Sequence, residues 1–308
     1  MKKTTGLLAM LLALVLLGSC AAAGDAGKTF VTSFYPMYVF ALNVTQGVPG
    51  AQVVNLAGQN VGCLHDYQLQ TRDMVTLEKA DALIINGGGM EQFMDKVIAQ
   101  QPQLPVIDAG SGIDMLCSED EHDHEGHDHD HAHEVMNAHV WMDPKLAAVQ
   151  VKNIADGLAA ADPDNAQHYL DNAAAYIARI EALDSEIAGM LAPFAGQQII
   201  TFHESFAYFA RAYGLEVAAV IAGDGGEEPS TREIAKTCDL VREKGIGVLF
   251  VEPQYPAKSA QTIARETGAQ VLTINPVVSG DGSPESYETL MRENASIMMG
   301  AFLNDGED

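Results

Sequence analysis

DPDNAQHYLDNAAAYIARIEALDSEIAGMLAP, residues 162–193, is the stretch that organises the rest of the chain. Asp162 followed by Pro163 has the form of a helix cap with proline in the first turn, and Pro193 stops the run. Between them Tyr169, Ala173, Tyr176, Ile180, Leu183, Ile187 and Leu191 recur every three or four residues, which is one apolar face of a helical period. About 30 residues at 1.5 Å rise make a rod of roughly 45 Å, long enough to brace two lobes. No flexible Gly/Ser hinge interrupts it, so the expected connection is stiff.

On either side of this rod the chain alternates strands and helices. Before it, TFVTSF (29–34), AQVVNL (51–56), ALIIN (82–86) and PVIDA (105–109) read as strands. Helices are expected from Pro36, from Thr71 as a cap, over about 90–100, and from the Asp143-Pro144 pair to about residue 160. After it, QQIITF (197–202), EVAAVI (216–221), IGVLFVE (246–252) and AQVLTIN (269–275) are strands. Ser230 with Glu233 forms a capping box for a helix ending at Gly245, and further helices are expected to about 267 and over 284–303. The predicted fold is α/β: two lobes (29–160 and 194–308), each a roughly four-stranded parallel sheet flanked by helices, joined by one long rigid helix over 161–193.

Residues 1–20 read as an export leader, with Lys2 and Lys3 ahead of an apolar run from Leu7 to Leu17 that is too short for a stable membrane span. Leu17-Gly18-Ser19-Cys20 resembles a bacterial lipobox, which implies lipidation of Cys20, a short tether over 21–28, and a position on the extracytoplasmic face of the cell membrane. Cys63, Cys117 and Cys238 remain, an odd number that builds no disulfide framework. The net charge of -25 argues against nucleic acid and anionic lipid surfaces as partners and is compatible with attracting cations.

EDEHDHEGHDHDHAHE, residues 119–134, holds six of the ten histidines: His122, His124, His127, His129, His131 and His133, interleaved with eight carboxylates. So polar a segment has little surface to bury and reads as a disordered loop. Imidazole is the commonest side-chain ligand for zinc, copper and nickel, so the tract is a metal signal that does not by itself name the metal.

Four histidines lie elsewhere. His168 falls within the long helix and reads as a surface residue. His203 follows directly on the strand 197–202, His65 lies in the connection after the strand 51–56, and His139 sits just before the helix that begins at Pro144. Open α/β sheets bind ligands at the carboxyl ends of their strands. One histidine from each of three connections can therefore converge between the lobes.

Gly62-Cys63-Leu64-His65-Asp66-Tyr67, His139-Val140-Trp141-Met142-Asp143-Pro144, Phe202-His203-Glu204-Ser205-Phe206 and Val251-Glu252-Pro253-Gln254 resemble the four signature segments of the cluster A-I solute-binding proteins. These are the metal-receptor lipoproteins of zinc and manganese ABC importers. The resemblance runs from about Thr29 to Leu303, and the acidic His-rich insertion is similar to that of the zinc branch. It implies His65, His139 and His203 as ligands of a transported Zn2+, a permease with its ATPase as partners, and a monomeric receptor.

The family's carboxylate after the last strand is replaced here by Asn275-Pro276, which leaves three imidazoles plus water, or plus an unplaced carboxylate such as Asp281. Losing an oxygen ligand favours zinc over manganese. Cys63 reads as packing. Glu204 reads as a partner to a ligating imidazole, and Asn275 as a possible fourth position. The alternatives are a manganese or iron receptor of the same fold, an adhesin or zinc buffer without a transporter, and a zinc hydrolase; no H-E-x-x-H supports the last.

Overall fold

Phe30 and Val31 sit side by side in the first strand, and both are fully buried. Phe30 packs into the large core shared with the long helix, while Val31 joins a smaller cluster with Leu56, Leu77, Leu83 and Met94. A strand buried on both faces belongs in a parallel sheet covered by helices, and that is what forms. The computed structural model describes residues 27–58, 64, 67–117, 136–222 and 228–305.

In the first lobe β1 (Thr29–Thr32), β2 (Gln52–Asn55), β3 (Ala82–Ile85) and β4 (Val106–Asp108) form a parallel sheet in the order β2-β1-β3-β4. In the second, β5 (Gln198–Thr201), β6 (Glu216–Val220), β7 (Val248–Val251) and β8 (Gln270–Thr273) repeat the arrangement as β6-β5-β7-β8. Ile199 and Ile200 divide between the large core and a cluster confined to the second lobe, as Phe30 and Val31 do in the first. The expected two four-stranded parallel sheets are present.

The helices are α1 (Tyr35–Val44), α2 (Thr71–Glu78), α3 (Asp95–Gln100), α4 (Pro144–Ala161), α5 (Ala166–Leu191), α6 (Ala207–Tyr213), α7 (Thr231–Lys244), α8 (Lys258–Thr267) and α9 (Ser286–Asp305). The long rod is α5, entered through a 3-10 turn at Pro163–Asn165. All seven residues of its expected apolar face are buried. Asp143 caps α4 by accepting from Lys145 N at 2.9 Å, and the Ser230–Glu233 capping box opens α7.

Two local details differ from expectation. The cap of α2 is Gln70 rather than Thr71, because the Asp73 carboxylate receives the Gln70 N–H at 2.8 Å. The helix expected over 90–100 begins as a 3-10 turn and turns α-helical only at Asp95. The chain first passes through Gly87, Gly88 and Gly89, all at positive φ, where a side chain at Gly87 would run into Asp108.

α9 returns from the second sheet to pack on α5 and α1. Arg179 on α5 donates to Glu288 on α9 at 2.9 Å and also to Asn43 on α1, so one guanidinium ties together three helices. Among the described residues no helix is long and apolar enough to cross a membrane.

Candidate metal centre

The carboxyl ends of both sheets face the seam between the lobes, and each has a switch point where strand order reverses, β1/β3 and β5/β7. Both are filled by the chain's own carboxylates. Glu91 accepts from Ser33 Oγ at 2.7 Å and from the backbone N–H groups of Asn86 (2.8 Å) and Gly87 (3.1 Å). Glu252 accepts from Ser205 Oγ at 2.5 Å and Gln254 Nε2 at 2.6 Å. Burial pushes Glu91 up to about 7 and Glu252 up to about 8. In each lobe the serine comes from the connection after the first strand and the glutamate from the connection after the third.

His139 and His203 meet at this seam. His139 lies in the connection from the first sheet into α4 and is fully buried. His203 follows β5 directly and is 1 % exposed. Their ring centroids are 5.0 Å apart at an interplanar angle of 75°. Two imidazoles bound to one tetrahedral zinc at 2.0–2.1 Å would have centroids roughly 5 Å apart, so the pair has the spacing a shared zinc requires. Trp141 stands 5.1 Å from the His139 ring on one side, and Tyr255 lies 5.6 Å from His203 on the other. The two imidazoles are thus flanked by aromatic rings on both sides.

The ring tautomer of His139 follows from its neighbour Asn137. Asn137 Oδ1 accepts from the backbone N of His139 at 3.0 Å and lies 2.9 Å from its ring Nδ1. A backbone N–H only donates, so the amide atom facing it is the oxygen. That oxygen only accepts, so Nδ1 carries a proton, and in the neutral ring the lone pair is on Nε2. Asn86 steadies the same segment by donating to the Ala138 carbonyl at 2.9 Å.

Glu204 places Oε1 4.0 Å from His139 Nδ1, across the seam from its own lobe. The Asn275 amide closes a turn: Oδ1 accepts from Val277 N at 2.9 Å and Nδ2 donates to the Ser279 carbonyl at 3.0 Å. This turn carries Val277 at φ 61, a left-handed conformation that β-branched residues rarely adopt, and Trp141 Nε1 grips it through the Pro276 carbonyl at 2.7 Å. Asp281 is exposed and accepts from Ser283 N at 2.9 Å. His168 is exposed on α5.

His65, Cys63, the six loop histidines and Cys20 lie outside the described residues. Among the described residues no group of three potential ligands is assembled; the structure brings together His139 and His203. Asn137 and Tyr208 were missed from sequence. Asn137 had a readable signal, since an Asn two residues before a histidine can accept from that residue's backbone N–H as an Asx turn.

Two parallel α/β lobes on a rigid helical spine, with imidazoles from both lobes meeting at the strand ends, define a two-lobed metal receptor. The model of the family described as ZnuA, zinc-uptake complex component A periplasmic, matches residues 30–301, and the chain belongs to that family. The high-affinity zinc uptake system protein ZnuA of Bacillus subtilis (strain 168) is 30% identical over 98% of this chain and 98% of its own length. A crystal structure of ZnuA superposes with a TM-score of 0.77 at 30% identity, covering 89% of this chain and 99% of the other. The solute-binding protein FpvC of Pseudomonas aeruginosa, solved with Ni2+, gives 0.78 at 28% identity, covering 92% and 99%. The protein is thus an extracytoplasmic zinc-binding component of a zinc-uptake system, a receptor and not an enzyme.

Proposed function

We propose that the protein captures Zn2+ between its lobes through His65, His139 and His203, with water completing the shell, and hands it to the permease. The observation that carries this is the His139–His203 pair, contributed by different lobes at zinc-sharing distance. The Asn275 amide is engaged in its own turn, so an imidazole-dominated site remains, which suits zinc better than manganese. The histidines at 122, 124, 127, 129, 131 and 133 serve as a weaker collector. Cys20 carries the lipid anchor, and the receptor works as a monomer with lobes 29–160 and 194–308 on the 161–193 spine.

Metal content and competitive affinity, measured on protein lacking 119–134, test this. The expected result is one tightly held zinc per chain, lost in His139→Ala and not displaced by excess manganese. Retention of manganese in preference would move the site to the manganese branch. Absence of any tight metal would refute an inter-lobe site.

A further inference from the structure

Asn137 is 2 % exposed, and each of its polar groups is engaged. Its N–H donates to the Leu116 carbonyl at 2.8 Å. Its Oδ1 meets the His139 backbone and ring, as described above. The other two bonds cross the seam. Nδ2 donates to the Glu204 carbonyl at 3.2 Å, and the Asn137 carbonyl accepts from Tyr208 Oη at 2.7 Å. Tyr208, on α6 and fully buried, also accepts from Leu116 N at 2.8 Å. One second-lobe phenol thus holds both strands of the Cys117–Met136 bridge together.

We infer that Asn137 is a positioning residue through which the second lobe orients the first lobe's ligand, His139. The amide that selects the ring tautomer is itself held in place by Glu204 and Tyr208. If the lobes separate, both holds are lost together, the imidazole is free to turn, and affinity falls. Metal release is therefore coupled to lobe separation through a hydrogen-bonded chain rather than through ligand loss alone. This rests on the zinc reading above.

The test uses the full chain and zinc titrated against a competing chelator, so that only the tightest site reports, with Co2+ as a spectroscopic probe. Asn137→Ala is expected to weaken zinc about 10–100-fold, the usual scale for losing a group that orients a ligating histidine, and to change the visible Co2+ bands. Asn137→Asp keeps the acceptor for His139 but loses the donor to Glu204. It is expected to retain the Co2+ spectrum and release zinc faster. Tyr208→Phe, which removes the bonds to Leu116 and Asn137, is expected to release zinc several-fold faster with its fold unchanged by circular dichroism. Unchanged affinity and spectrum in Asn137→Ala, with an unchanged release rate in Tyr208→Phe, would overturn the inference. His139→Ala separates the two readings. If it loses tight zinc while the other variants bind normally, only the positioning role falls; if it keeps tight zinc, the inter-lobe site falls and the positioning role with it.

Discussion

Trp141 shows how one side chain can serve packing and site together. It is fully buried, stands edge-on to Phe34 at 5.1 Å, and bonds the Pro276 carbonyl beneath the strained Val277 turn. Trp141→Phe removes that donor and leaves a buried carbonyl unsatisfied beside a small void. We expect a loss of about 2–3 kcal/mol in urea denaturation of the metal-free protein. A loss within experimental error would mean that the bond is replaced by water. The motif around His139 was legible because its residues are contiguous. The Trp141–Pro276 contact was not, since its partners lie far apart in sequence and meet only when the lobes pack.

At the scale of elements, two helical glycines should respond oppositely to the same change. Gly157 on α4 faces Ile107 of β4, and an added Cβ would lie 2.6 Å from Ile107 Cγ2. Gly189 on α5 has nothing within 4 Å of such an atom. Alanine is the better helix former, so Gly189→Ala is expected to stabilise by roughly 0.5–1 kcal/mol. Gly157→Ala gains the same propensity but forces helix and strand apart, an overpacking cost of about 1–3 kcal/mol, and should come out destabilising. Chemical denaturation of both variants checks the pair; stabilisation in both would show that the β4–α4 contact is loose. Nothing in the local sequence separates the two glycines. The alternation of strands and helices was legible because periodicity is local, as was the α5 face. The broken start of α3 was not, because Glu91 turns back to bind Asn86 and Gly87 at the switch point of the sheet.

For the whole molecule, the two buried carboxyls set a pH dependence. Glu91 and Glu252 sit at about 7 and about 8, above the ordinary 4.5 of an exposed glutamate, because burial disfavours the charged form. The native state then holds protons that the unfolded chain has released. Their stabilising contribution is complete below about 4.5 and is lost as pH rises through 7 to 8. Thermal unfolding of metal-free protein should therefore show a midpoint that falls from pH 5 to pH 8. Combining Glu91→Gln with Glu252→Gln should flatten that slope, since neither amide titrates. A slope unchanged by the pair would place the effect in other groups.

The sequence by itself determined the α/β class, the two-lobe plan and the spine, and it singled out the connections that carry His139 and His203. Each of these is written in local periodicity, in caps, or in short contiguous segments. Only the tertiary structure decided that His139 and His203 stand 5.0 Å apart, that matching serine–glutamate pairs fill both switch points, and that Asn137 sets the His139 tautomer while held from the other lobe. Apart from the local hold of Asn137 on His139, those facts depend on contacts between residues distant in the chain. Their donors and acceptors face each other only after the two sheets are fixed on their common spine.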